Sequence, residues 1–220
     1  LLAGQWYGLD DLYFTSAVDY GYSKTREEAY RSWDREAVLE DLVRIIRSNR
    51  PLVIVSRWHG SARDGHGHHQ AAGDLSIAAA AAAADPEQFP DQISIEGLEP
   101  WSAIRVFRGG IRDGEKTDVT INAGAYSPEF GQRYQDIAAY GLSLQRSQTS
   151  GRIRSESSGV YAYELIDGLE MPSQGATDFF AGLDTSLSGI PTVLGDSIPA
   201  SVADLLAEID QLLALSLLHI

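Results

Sequence analysis

Between residues 34 and 50 the apolar positions recur with the spacing of a helix. Val38, Leu39, Leu42, Val43, Ile45 and Ile46 take one face, and Glu36, Glu40, Asp41, Arg44 and Arg47 take the other. Asp34 stands where an N-cap belongs, and Pro51 follows as a stop signal, so the pattern predicts a helix from Asp34 to about Asn49. A shorter helix is predicted after Thr25, because 25-TREE-28 has the form of a capping box. Upstream, Leu12–Ser16 reads as a short β-like run.

The period changes at Leu52–Val55. LVIV is a continuous, β-branched-rich run, the kind that is buried on both faces in a parallel sheet covered by helices. A glycine-rich loop follows, 57-RWHGSARDGHG-67, and then a helix from about His68 to Ala84 that ends in seven alanines, strong helix formers with small side chains. Further on, Ile104–Phe107, Val119–Ile121 and Val160–Ile166 read as strands. Pro128 opens a predicted helix through Tyr140 toward Gln145. Residues 147–159 read as loop, 167–200 as irregular, and a last helix starts near Ser201. This order predicts an α/β layer architecture with right-handed crossovers. Ligands in such sheets bind outside the carboxyl ends of strands, which is where the loop after Leu52–Val55 lies.

Composition narrows the function classes. The net charge of −14 lacks the basic face of a nucleic-acid binder, so nucleic acid and anionic membrane surfaces are discounted as partners. With no cysteine, thiolate metal sites, disulfides and cysteine nucleophiles are excluded. No stretch reaches transmembrane length; the most apolar one, residues 202–220, carries Asp204, Glu208 and Asp210. The chain opens on Leu-Leu and holds one methionine, Met171, so it is expected to be a piece of a longer polypeptide. A secreted or periplasmic setting is favoured over a cytoplasmic one.

Candidate chemistry concentrates in one place. Three of the five histidines, His66, His68 and His69, sit within four residues. On a helix beginning near Gly67, His66 and His69 are three apart and face one side, while His68 points elsewhere. A helix N-terminus disfavours added positive charge, so imidazoles there stay in the neutral, metal-binding form. Spacing alone leaves two readings open, a functional pair and a solvated loop. A catalytic zinc takes three protein ligands and a water. His66 and His69 do not complete that set, and His59 is a possible third.

The run D-G-H-G-H-H-Q-A-A-G after an apolar strand resembles the H-x-x-H motif of the PIG-L/LmbE-like zinc-dependent N-deacetylases. The segments 19-DYGYSKTREEAYRSW-33, 87-EQFPDQISIEGLEPW-101 and 179-FFAGLDTSLSG-189 are similar to a large multidomain subgroup of that family. The resemblance spans residues 7 to 190. It implies a Rossmann-like fold with a mainly parallel sheet flanked by helices. It also implies a deacetylase domain over residues 1–198, followed by a carboxy-terminal helix, 199–220, that belongs to it or opens the next domain. It implies Zn2+ as cofactor and a small N-acetylated sugar or glycoconjugate, of N-acetylglucosamine type, as substrate. His69 is then a zinc ligand, His66 the catalytic residue that polarises or protonates the tetrahedral intermediate, and Asp19 a substrate-binding acid. Asp19 is equally a turn former before Gly21; Arg57 and Arg63 read as ordinary surface residues ahead of residues that balance the site's charge, and Tyr126, Tyr134 and Tyr140 as core or surface aromatics ahead of sugar platforms.

Two departures stand out. The family's A-H-P-D-D-E motif, source of the other zinc ligands and the general base, is absent, as expected if the first strand–turn unit is missing. Gly67 and His68 replace the usual Pro-Asp pair. The alternative function is a non-catalytic Rossmann-like binding or scaffold module.

Overall fold

The computed structural model describes residues 1–149, 153, 159–173 and 175–217. Along the chain run α1 (Leu2–Trp6), α2 (Arg26–Ser32), α3 (Arg35–Asn49), β1 (Val53–Ser56), α4 (Gly67–Ala84), α5 (Pro90–Ser94), β2 (Arg105–Arg108) and β3 (Val119–Asn122). They are followed by β4 (Tyr126–Ser127), β5 (Gln132–Arg133), α6 (Tyr134–Ser143), α7 (Arg146–Thr149), β6 (Val160–Gly168), α8 (Ile190–Leu194) and α9 (Ala200–Leu217).

The helical layer forms where the apolar pattern places it. Thr25 caps α2 by accepting from the Glu28 N–H at 3.2 Å. Asp34 caps α3 by accepting from the Glu36 and Ala37 N–H groups at 3.0 and 3.1 Å. Caps of this kind contribute about 1 kcal/mol each. Val38, Leu39 and Val43 of α3 are buried against Leu75, Ala79, Ala82 and Ala83 of α4. The alanine run gives α4 a smooth surface that lets the two helices close on each other without overpacking.

The sheet has the order β1-β2-β6-β3. β1 and β2 are parallel, in register from Val53 against Arg105 to Ser56 against Arg108. β6 runs antiparallel to both β2 and β3. The fold is therefore mixed α/β, a mostly antiparallel four-stranded sheet flanked by helices. The mainly parallel sheet expected from the sequence holds only for the β1–α4–β2 unit. Its apolar runs carried no information on the direction of the neighbour that each strand would find. β1 is also not buried on both faces, since Val55 is 40% exposed. A second apolar cluster joins Phe107, Val119 and Tyr163 of the sheet to Met171, Ala176 and Phe179.

Three smaller expectations are corrected. Residues 12–16 form no strand. They lie along α3, held by Tyr13 Oη donating to Asn49 Oδ1 at 2.6 Å and by the Ser16 N–H donating to Asp41 Oδ2 at 2.7 Å. The helix expected from Pro128 begins instead at Tyr134, because Tyr126–Ser127 pairs with Gln132–Arg133 as a tight hairpin. The stretch 167–200 contains one short helix, α8. Most of the predicted loop at 147–159, and residues 218–220 of the predicted last helix, lie outside the described residues. α9 is tied to the loop before α8 by Asp210, which accepts from the Leu187 and Ser188 N–H groups at 2.9 Å each. Among the described residues no helix is long and apolar enough to cross a membrane.

Candidate functional site

The histidines sit where the loop leaving the carboxyl end of β1 turns into α4. That loop is held by Asp64. Its carboxylate accepts from the His59, Gly60 and Ser61 N–H groups at 3.2, 2.7 and 3.2 Å. Ser61 and Asp64 form a capping box around a single 3-10 turn at Ala62–Asp64. The Asp64 carbonyl then takes the His66 N–H at 2.9 Å and the His69 Nδ1 at 3.3 Å.

Two glycines of α4 let other segments reach the cluster. A Cβ on Gly73 would lie 2.3 Å from the Gly60 nitrogen and 2.9 Å from the Trp58 carbonyl, so only glycine lets the 57–61 loop rest on the helix. That contact lays the Trp58 indole on the His69 imidazole, with centroids 3.7 Å apart and planes 8° from parallel. A Cβ on Gly67 would lie 2.2 Å from the Thr25 carbonyl and 2.3 Å from Ser23 Oγ. The Gly67 N–H also donates to the Ser23 carbonyl at 3.0 Å. Proline would not fit at this position, since it would lack that donor and fill that space.

The segment docked at Gly67 brings aromatic rings. Tyr20 stacks on His68 at 4.2 Å, Trp33 meets His68 edge-on at 5.1 Å, and Tyr22 meets His66 edge-on at 4.7 Å. His66 and His68 share a hydrogen bond, Nδ1 to Nδ1, at 2.8 Å. One ring therefore carries the proton and the other accepts it. The expected geometry is corrected here, because His68 turns into the cluster beside His66. The His66 and His69 centroids are 5.4 Å apart and those of His66 and His68 4.6 Å.

His68 is half-buried, and its Nε2 atom is shielded from solvent. Its Nε2 has no hydrogen-bond partner. The nearest carboxylate oxygen, Asp19 Oδ1, is 3.9 Å away on a side chain that is 90% exposed. Burial first, then His66, pulls the His68 pKa down, against the opposing pull of Asp19. Asp19 does form the turn expected of it, accepting from the Gly21 N–H at 3.0 Å. The structure thus places both expected site residues of the α4 head, His66 and His69, together, and brings Asp19 to their edge through His68.

The metal expectation can be tested against the donors. Among the described residues no group of three or more His, Asp or Glu is placed to hold a metal ion. His69 has one feature of a metal ligand, its Nδ1 directed to a backbone carbonyl, which leaves Nε2 with the lone pair. His59 does not join it as a third ligand. Its Nδ1 is buried without a partner, and burial, Arg108 and Arg63 lower its pKa. The described residues on their own do not complete a catalytic zinc site.

Of the remaining candidates, Arg63 pairs with Glu115 at 2.6 Å and holds that carboxyl down to about 2. Tyr140 packs on Trp6, Tyr134 meets Phe130, and Tyr126 lies in the hairpin at 63% exposure. Sequence reasoning missed Trp58, Tyr20, Tyr22 and Asp64. Only Asp64 had a local signal, the Ser-x-x-Asp spacing just before the histidines.

Comparison with protein-family models and with curated proteins finds no match for this chain.

Proposed function

We propose that this chain contributes the H-x-x-H half of the active site of a zinc-dependent amide hydrolase, one that removes an acetyl group from an N-acetylated sugar of N-acetylglucosamine type. The observation that carries the reading is His69. Its Nδ1 faces the Asp64 carbonyl at 3.3 Å and its ring lies flat on Trp58, so Nε2 is the nitrogen left for a metal. The β1–α4–β2 unit supports a Rossmann-like reading of this half of the fold, with the site at the carboxyl end of a strand. The choice of reaction rests on the resemblance of the D-G-H-G-H-H run and its flanking segments to the PIG-L/LmbE-like deacetylases.

In this reading the remaining ligands and the general base come from outside the described donors. A bound zinc supplies Lewis acidity to the acetyl carbonyl. The chain's own residues do the rest of what is assigned here. His66, hydrogen-bonded through Nδ1 to His68, presents its other nitrogen to the developing oxyanion or to the departing amine. Tyr20 and Tyr22 line the histidines with aromatic rings, which are suited to the apolar face of a sugar ring. Asp19, at the exposed edge, is placed to accept from a sugar hydroxyl.

A second reading, a binding module without metal chemistry, is favoured by the His66–His68 hydrogen bond, which already gives two imidazoles a partner. Acetate release from N-acetylglucosamine conjugates by the zinc-loaded protein, with zinc content measured in the same samples, separates the two. The hydrolase reading expects His69→Ala to lose zinc and His66→Ala to keep zinc while losing about 10²-fold or more in rate. A folded protein that carries the remaining ligands and the general base, holds zinc and releases no acetate sinks the hydrolase.

A further inference from the structure

Next to the cluster lies a cation that the proposed chemistry does not use. The Trp58 indole that stacks on His69 also carries the Arg57 guanidinium, whose Cζ is 4.8 Å from the indole centroid and 6.0 Å from the Tyr161 centroid. Arg57 is therefore one aromatic ring away from the proposed metal ligand, with its guanidinium near both a ring of the loop and a ring of β6. A guanidinium fixed on aromatic faces keeps its N–H edge free and oriented, and loses little entropy when it binds.

The surroundings of Arg57 point to an anion. The chain carries 31 Asp and Glu against 17 Lys and Arg. Two nearby arginines are already paired, Arg63 with Glu115 at 2.6 Å and Arg108 with Glu164 at 2.5 Å. Among the described residues no carboxylate lies within ion-pair distance of Arg57. Arg57 thus keeps its N–H groups for an incoming anion, while these two arginines do not. Arg57 also lines a small cavity of about 120 Å³, together with Gly110, Ile111 and Val160–Tyr163. Drug-sized ligands take pockets of roughly 300–1,000 Å³, so this cavity fits a single group and not a whole sugar.

We propose that Arg57, fixed on Trp58 and Tyr161, binds an oxyanion group of the substrate (carboxylate, sulfate or phosphate), so that the histidine cluster acts on an acidic N-acetylated glycoconjugate. The substrate half of this statement rests on the hydrolase reading above. The binding half does not, because an oxyanion needs neither zinc nor turnover to occupy Arg57.

The probe is inorganic phosphate, titrated into the 220-residue chain at constant ionic strength and followed by the arginine Nε–H resonances in 1H–15N NMR. A saturable shift of the Arg57 resonance is expected, accompanied by a shift of the His69 ring protons across the shared indole. Arg57→Gln is expected to weaken binding about tenfold or more, and Arg57→Lys, which keeps the charge but loses the planar fork, by a smaller factor. A shift that does not saturate, or one that persists unchanged at His69 in Arg57→Gln, overturns the site as general ionic screening.

Acetate release then divides the two readings. If the wild-type protein cleaves sulfated and neutral N-acetylglucosamine conjugates equally, and Arg57→Gln changes neither rate, the substrate assignment fails while the hydrolase stands. If phosphate binds at Arg57 and no conjugate is cleaved by a protein that carries the remaining ligands and the general base, the hydrolase fails and the anion site stands. Arg57 is exposed and outside both apolar clusters, so Arg57→Gln keeps the fold, which a thermal melt checks.

Discussion

The two ends of α4 are built to opposite purposes. At its carboxyl end the guanidinium of Arg47, 1% exposed, donates to the carbonyls of Ala82 and Ala83 and to that of Asp85, the residue just past the helix, at 3.3, 3.2 and 2.8 Å. It also reaches the Gln88 and Phe89 carbonyls and Gln92 Oε1, at 2.9, 3.3 and 3.2 Å. A cation placed on the orphan carbonyls of a helix end satisfies them and complements the helix dipole. Every donor there is used, and nothing is left for a ligand. At the amino end no side chain caps the helix. Two imidazoles bond to each other, a third lies under an indole, and the His68 Nε2 is buried without a partner. Saturated polar groups hold a structure together, while unsaturated ones placed by a rigid helix are free to act on something else.

Replacing Arg47 tests the saturated end and has the largest expected effect. Arg47→Met fills the space but leaves the carbonyls of the last turn buried without donors. Charge-assisted hydrogen bonds are worth about 1.5–3 kcal/mol each and unpaired buried acceptors add to the loss, so a destabilisation of about 3 kcal/mol or more is expected in denaturant unfolding. Zinc or phosphate binding at the other end, measured where the variant is folded, should stay as it was. A variant with wild-type stability would show that the cage is incidental.

Gly73→Ala sharpens the comparison from the other side. Its methyl meets the Gly60 nitrogen, so the 57–61 loop must lift and Trp58 must leave His69. Overpacking of this kind costs about 1–3 kcal/mol, less than the loss of the Arg47 cage. The cost should come with a spectroscopic change absent from Arg47→Met, namely loss of the ring-current shift on the His69 protons. If the melt moves and that shift does not, the loop has adjusted elsewhere and Gly73 does not position Trp58.

The same contrast explains what could be read from the sequence. The caps at Thr25 and Asp34, the extent of α3 and α4, and the nearness of His66 to His69 were legible, because each depends on residues close in sequence. The direction of His68 was not, since the 2.8 Å bond to His66 arises from ring orientation and not from spacing. Trp58, Tyr20 and Tyr22 arrive at the site through glycine contacts with other segments, and no periodicity marks such a contact. The antiparallel entry of β6 between β2 and β3 is equally silent, because an apolar run reads the same in either direction. The cage of Arg47 was the deepest miss. Its spacing placed it on the polar face of α3, yet it is buried, because α5 and the turn after α4 close over it with carbonyls.

The smallest expected effect is a pH dependence confined to the amino end of α4. His68 resists protonation in the folded chain, chiefly because it is buried and next because His66 lies against it. The unfolded chain takes up that proton near the ordinary histidine value of about 6.5. Below that pH the unfolded state therefore binds more protons than the folded state, and stability falls as the solution is acidified. The contribution is fully present above about pH 6.5 and is lost as pH drops toward the lower folded-state value. His59, lowered first by burial and then by Arg108 and Arg63, adds a loss of the same sign. Arg47 stays charged across this range, so the carboxyl end contributes nothing to the slope. Melting temperatures of the wild type and of His68→Gln, compared between pH 8 and pH 5, measure the effect. The wild type is expected to lose more on acidification than the variant. Equal slopes would mean that the His68 ring is solvated, and that the amino end of α4 is not the unsaturated site that sets it apart from the carboxyl end.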